Sequence, residues 1–144
     1  MRTWGGLLIA AILALLALPK VDPARNYSAE TAALKAIQTI NTVQVQYQST
    51  YGRFARSLTE LGPPVSGLDN ASAANLISAE LASGEKQGYK YTLTSTPTGY
   101  AITALPMGPG PHGWRTFYSD QSLIVGENYG PDPATANSKE VGRR

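Results

Sequence analysis

From Thr3 to Pro19 the chain reads TWGGLLIAAILALLALP, without a single charged residue. As an α-helix rising about 1.5 Å per residue, this run would extend roughly 25 Å. That is longer than most signal h-regions and a little short of a bilayer core of about 30 Å. Trp4 places an amphipathic ring at one end, suited to the headgroup level, and Arg2 ahead of the run favours a cytoplasmic N-terminus with an exported C-terminal part, a bias that Lys20 weakens. After the run comes Ala17-Leu18-Pro19-Lys20-Val21-Asp22-Pro23-Ala24, which lacks small residues in the A-x-A arrangement that a signal peptidase needs. Residues 1–22 are therefore read first as a retained membrane anchor, second as a cleaved secretory signal and third as a buried soluble helix. Export follows from either of the first two. The apolar side chains available to lipid or to neighbouring helices are Leu7, Leu8, Ile9, Ile12, Leu13, Leu15, Leu16 and Leu18, followed by the helix-softening Pro19.

Behind this segment about 120 residues remain, enough for one hydrophobic core. A globular head is expected over residues 23–127, with an irregular tail over 128–144. Ser28 is a candidate N-cap, and Glu30 in the following turn complements the helix dipole. Ala29, Ala33, Ala36, Ile37, Ile40, Val43, Tyr47 and Tyr51 recur at steps of three or four, one continuous helical face, and Gly52 is a natural stop. The spacing predicts a helix over residues 28–51. Its other positions are rich in amides (Gln38, Asn41, Gln44, Gln46, Gln48), and Lys35 is its one cation; solvation is the first expectation for that face, packing against sister subunits the second.

Ser57 can cap a single turn that buries Phe54, Leu58 and Leu61, and Pro63-Pro64 ends it. A second helix is expected from Ala71 to Leu81, with Ala74, Ile77 and Leu81 inward and Gly84 as its end. From Tyr89 the period falls to two: Tyr89, Tyr91 and Leu93 alternate with Lys90, Thr92 and Thr94, Thr96-Pro97-Thr98-Gly99 turns, and Tyr100, Ile102 and Ala104 follow. After a Pro- and Gly-rich loop at residues 106–114, Arg115 to Ser119 and Leu123 to Gly126 offer another hairpin around Asp120-Gln121-Ser122. Helices followed by antiparallel strands define an α+β fold, with the long helix covering one face of a small sheet.

Composition removes several chemistries. With no cysteine there is no disulfide, thiolate metal site or cysteine nucleophile, and the single histidine, His112, cannot make a two-histidine zinc site. The 12 basic and 10 acidic residues are scattered, so no basic face for nucleic acid is expected. No phosphate-binding loop, nucleophile elbow or zinc-protease motif occurs. Ser83-Gly84-Glu85-Lys86 matches S-x-x-K, but lacks companion motifs and falls at an expected helix end. Asn26-Tyr27-Ser28 and Asn70-Ala71-Ser72 match a glycosylation acceptor, and capping of adjacent helix starts accounts for both. Tyr47, Tyr51, Tyr89, Tyr91, Tyr100, Phe117 and Tyr118 are expected in the core and on sheet faces. Neither a catalytic set nor a cofactor is expected.

Three stretches together resemble the type IV pilin and type II secretion pseudopilin family: ALKAIQTINTVQVQYQSTYGRFARSLTELGPP (33–64), ISAELASGEKQGYKYTLTSTPTGYAITALP (77–106) and RTFYSDQSLIV (115–125). The helix, the Ser-Leu-x-x-Leu-Gly turn, the Gly-Tyr strand opening and the Phe-Tyr-Ser-Asp-Gln hairpin occur in the family's order. The resemblance implies a helix with an apolar first half and a second half packed on a small antiparallel sheet. It also implies a non-enzymatic filament or secretion-apparatus subunit, anchored in the bacterial inner membrane with a periplasmic or extracellular head. Its partners would be the membrane and further copies or other pilin-like subunits; a soluble, signal-cleaved binding module is the alternative. The front departs from the family: a prepilin-type cut after Gly6 would make Leu7 first and leave no glutamate to meet a neighbour's amino terminus. Some pseudopilins bind calcium near the C-terminus, where this chain has Asp120, Glu127 and Asp132. Carboxylates suit calcium, although three acids over thirteen residues read more readily as solvated turn residues.

Overall fold

The computed structural model describes residues 23–107 and 115–143, with side chains from Tyr27 onward; residues 1–22, including Gly6 and the apolar set Leu7 to Pro19, lie outside the described residues. The first element, α1, spans Pro23–Tyr51, 29 residues or about 43 Å. It starts before the expected Ser28 cap, so Ser28 lies within the helix, and Pro23 occupies the first helical position, where its missing N–H costs nothing. Ala33, Ile37, Ile40 and Tyr47 are fully buried, following the periodicity of the sequence. Gly52 stops the helix in the left-handed region, at φ +76°, where its N–H donates to the Gln48 carbonyl (2.8 Å). Among the described residues no helix is long and apolar enough to cross a membrane.

The short helix α2 (Leu58–Leu61) forms as expected, capped by Ser57 Oγ, which accepts from the Glu60 N–H (3.3 Å), and buries Leu58 and Leu61. The helix expected from Ala71 to Leu81 does not form over most of its length; only Ala79–Ala82 is helical (α3), capped by Ser78 Oγ. Polar side chains and backbone divert the preceding residues. Asn70 and Ala73 exchange backbone hydrogen bonds, the Ser72 N–H donates to Asn70 Oδ1 (2.8 Å), and Asn75 sits at φ +57°. Asn and Ser compete in this way with the helical ladder. The N–H groups of Asn75 and Leu76 instead donate to the carbonyls of Gly62 and Leu61, which ties the segment to α2.

Six strands follow: β1 (Glu85–Lys86), β2 (Tyr89–Thr96), β3 (Gly99–Pro106), β4 (Arg115–Asp120), β5 (Val125–Tyr129) and β6 (Lys139–Glu140). Each pairs antiparallel with its neighbour in chain order, making a meander. Thr96 pairs with Gly99 around a two-residue turn, and Tyr89, Tyr91 and Leu93 point inward between exposed Lys90, Thr92 and Thr94. The tail is not irregular throughout, contrary to expectation. Lys139 and Glu140 pair with Glu127 and Gly126, and Ala134 is buried. The return strand approaches because position 126 is glycine: a Cβ there would meet Ser138 Cβ and the Thr135 carbonyl oxygen at 3.3 Å.

α1 lies across β3 and β4. Two amides on its inner face are buried rather than solvated, which corrects the first expectation for them. Tyr100 Oη donates to Asn41 Oδ1 (2.9 Å), Asn41 Nδ2 donates to Ser119 Oγ (2.8 Å), and Ser119 Oγ donates to the Ile124 carbonyl (2.8 Å). Gln44 closes the bend after α1: its Nε2 donates to the Ala55 carbonyl and its Oε1 accepts from the Ala55 N–H. Gln38, Gln46 and Gln48 remain exposed. Of the aromatic set, Tyr47, Tyr89, Tyr91, Tyr100 and Phe117 are buried, while Tyr51 and Tyr118 are half-buried.

Truncating Asn41 leaves the buried Tyr100 hydroxyl without its acceptor and Ser119 Oγ without one of its two partners, so Asn41→Ala is expected to destabilise the fold by roughly 2–3 kcal/mol and Tyr100→Phe by about 1 kcal/mol, both measured by denaturant unfolding. Burial pushes the phenols of Tyr91 and Tyr100 up to about 12 from an ordinary 10.0, with nearby Asp120 also raising Tyr100. Groups protonated longer in the folded state stabilise it fully below 10.0, and that contribution disappears as pH rises towards 12. Alkaline titration should therefore show tyrosinate absorbance from these two rings appearing together with unfolding; their ionisation with native circular dichroism retained would contradict their burial.

Candidate functional site

The strongest concentration of charge lies where the first turns of α1 meet the start of β4. Arg115 Nε and its backbone N–H donate to the two oxygens of Glu30 (3.1 and 2.9 Å), and Nη1 donates to Glu127 on β5 (2.7 Å). Its guanidinium lies over Phe117 at 5.1 Å and over Tyr129 at 6.0 Å, and Tyr89 Oη donates to its carbonyl oxygen (2.6 Å). All three charged side chains are nearly out of solvent. A guanidinium already engaged by two carboxylates and stacked between rings is a clamp between helix and sheet. Sequence reading missed it: Glu30 was assigned to the helix dipole, and its partner stands 85 positions away, beyond the reach of any local pattern.

A second cluster holds the other end of α1. Tyr47 Oη donates to Glu60 Oε2 (2.9 Å) and also hydrogen-bonds the Ala71 carbonyl, while Arg53 pairs with the same Glu60 oxygen at 2.8 Å. Burial raises the Glu60 carboxyl, but the hydrogen bonds from Arg53 and Tyr47 outweigh it and bring it below its usual range.

The calcium candidates do not converge. Glu127 belongs to the clamp, rather than to a solvated turn; Asp120 accepts from the Ser122 N–H and from Tyr118 Oη; and Asp132 contributes its carbonyl oxygen to Thr116 and Asn128. Among the described residues no three acidic or histidine side chains are gathered as a metal ion requires. His112 lies outside the described residues. Ser83 follows α3, where its hydroxyl donates to the Glu80 carbonyl (2.6 Å), and Lys86 belongs to β1.

A groove of about 440 Å³ runs between α1, α3 and the β1–β2 hairpin. Ala32, Ala36, Ile77 and Leu81 form its apolar floor, and Lys35 and Lys86 stand on its rim. Lys35, read from the sequence only as the helix's one cation, thus faces a concavity. Comparison with family models, with curated proteins and with solved structures finds no match for this chain.

Replacing Arg115 by Met leaves Glu30 and Glu127 buried without their counter-charge, which is expected to cost about 3–5 kcal/mol in denaturant unfolding. A variant as stable as the parent would show that the clamp does not hold α1 to the sheet.

Proposed function

We propose that the protein is a structural, non-enzymatic pilin-like subunit, anchored in a bacterial inner membrane with its head exported, serving a type IV pilus or type II secretion pseudopilus-type filament. One observation carries the reading. α1 runs unbroken for 29 residues from Pro23, four positions after the uncharged run ends at Pro19, and spends only one side of itself on the head's core. From Gln38 to Thr50 the other side exposes Gln38, Thr39, Thr42, Val45, Gln46, Ser49 and Thr50 without a charge, which suits contact with neighbouring subunits. The α+β order, a helix laid on an antiparallel meander, is the arrangement that the family resemblance implies. The buried ionic groups at both ends of the helix serve its attachment and leave no reactive pair in the groove.

Because the chain has no cysteine, a thiol introduced by Leu13→Cys reports alone. Oxidation in membranes is expected to link copies to one another or to other pilin-like subunits through the apolar segment, and filaments should appear by electron microscopy on overexpression. Sequencing of the mature N-terminus should return Met1 or Arg2 for an anchor, or Leu7 for prepilin-type processing. A start between Lys20 and Arg25, with a head that stays monomeric, would make the protein a released binding module and overturn the proposal.

A further inference from the structure

The groove has a counterpart on the same molecule. After α2 the chain forms a loop over residues 63–70 in which Val65 and Leu68 are almost wholly exposed, at 105% and 89%, and Asp69 makes no ion pair among the described residues. The loop is held rather than loose: Asn70 and Ala73 exchange backbone hydrogen bonds at its base, and Asn70 Nδ2 donates to the Leu68 carbonyl (3.1 Å). It therefore presents two aliphatic side chains and a carboxylate on a pre-ordered support, which lowers the entropy lost on docking. The groove presents the inverse, an apolar floor with two lysines on the rim, neither in an ion pair among the described residues and with no carboxylate among its lining residues.

We propose that the groove receives the 63–70 loop of a second copy of this chain, Val65 and Leu68 seating on Ala32, Ala36, Ile77 and Leu81, and Asp69 meeting Lys35 and Lys86. In the molecule itself the loop stays out of the groove, Val65 and Leu68 remaining almost wholly exposed. Its base is nevertheless fixed beside the groove, since the Ile77 N–H donates to the Leu61 carbonyl (3.1 Å) and Tyr47 holds the Ala71 carbonyl. Because loop and groove are different patches, the contact either is exchanged reciprocally in a two-fold dimer or runs one way from copy to copy. This inference rests on the assembly reading above and adds to it a specific contact between the globular heads.

Two differently tagged full-length copies, one carrying Leu68→Cys and the other Thr39→Cys, are to be co-expressed in membranes and oxidised. A mixed disulfide-linked dimer is expected. It should be lost when Asp69→Lys is added to the first copy, and restored when Lys35→Glu and Lys86→Glu are added to the second. Absence of the mixed dimer, dimers joined only through Leu68→Cys on both copies, or indifference to charge reversal would each overturn the proposal. Leu13→Cys, run in parallel, separates the two failures: its disulfide without the mixed dimer leaves assembly standing and removes the head contact, whereas loss of both removes assembly as well.

Discussion

The helix α1 is held in place by a few polar contacts along an otherwise apolar seam, and the rest of the fold is arranged around that attachment. Ala33, Ile37, Ile40 and Tyr47 supply the non-directional part of the contact. Small alanines and β-branched isoleucines would tolerate sliding by a turn, since neighbouring turns present similar surfaces. Glu30 on Arg115, Asn41 on Tyr100 and Ser119, and Gln44 on Ala55 do not tolerate it, because a one-turn shift of about 5.4 Å would leave each buried group unpartnered.

The meander accepts this helix because its inner face carries hydroxyls where the helix carries amides. Ser119 and Tyr100 lie on adjacent strands, with Ile102 paired to Ser119, so one asparagine reaches both. The same logic closes the C-terminal edge. Thr116 Oγ1 accepts from the Ala134 N–H and donates to the Asp132 carbonyl, which draws the tail back across β5 before Lys139 and Glu140 pair. Elements with almost no apolar content of their own are thereby ordered by groups that the strands beneath them supply.

What could be read in advance, and what could not, divides along this line. α1 and the β2–β3 hairpin were legible because burial alone decides them: apolar residues recur at three or four in one and at two in the other. The stretch from Ala71 to Leu81 misled because its apolar spacing is helical while Asn70, Ser72 and Asn75 offer the backbone other partners, and tertiary contact with α2 settles the competition. The final strand was illegible because its determinant, a glycine at 126 that admits Ser138, lies on a different element. The clamp at Arg115 was hidden for a similar reason, its three charged side chains being brought together from α1, β4 and β5.

The distribution of charge then links the fold to the way such a head can meet another. Arg53 with Glu60, Arg115 with Glu30 and Glu127, and Arg143 with Glu140 are consumed internally. This leaves the outer face of α1 from Gln38 to Thr50 neutral and rich in hydroxyls and amides. A neutral face neither repels an identical neighbour nor selects one, so it can lie against another helix but cannot fix the register or direction of contact. Direction then has to come from charges outside those pairs, and among the described residues Lys35 and Lys86 at the groove and Asp69 on the exposed loop are of this kind. On the proposed assembly, the apolar N-terminal run would concentrate subunits, the neutral helix face would permit their approach and the charged loop and groove would orient them, so that recognition would lie in the head and affinity chiefly in the apolar run.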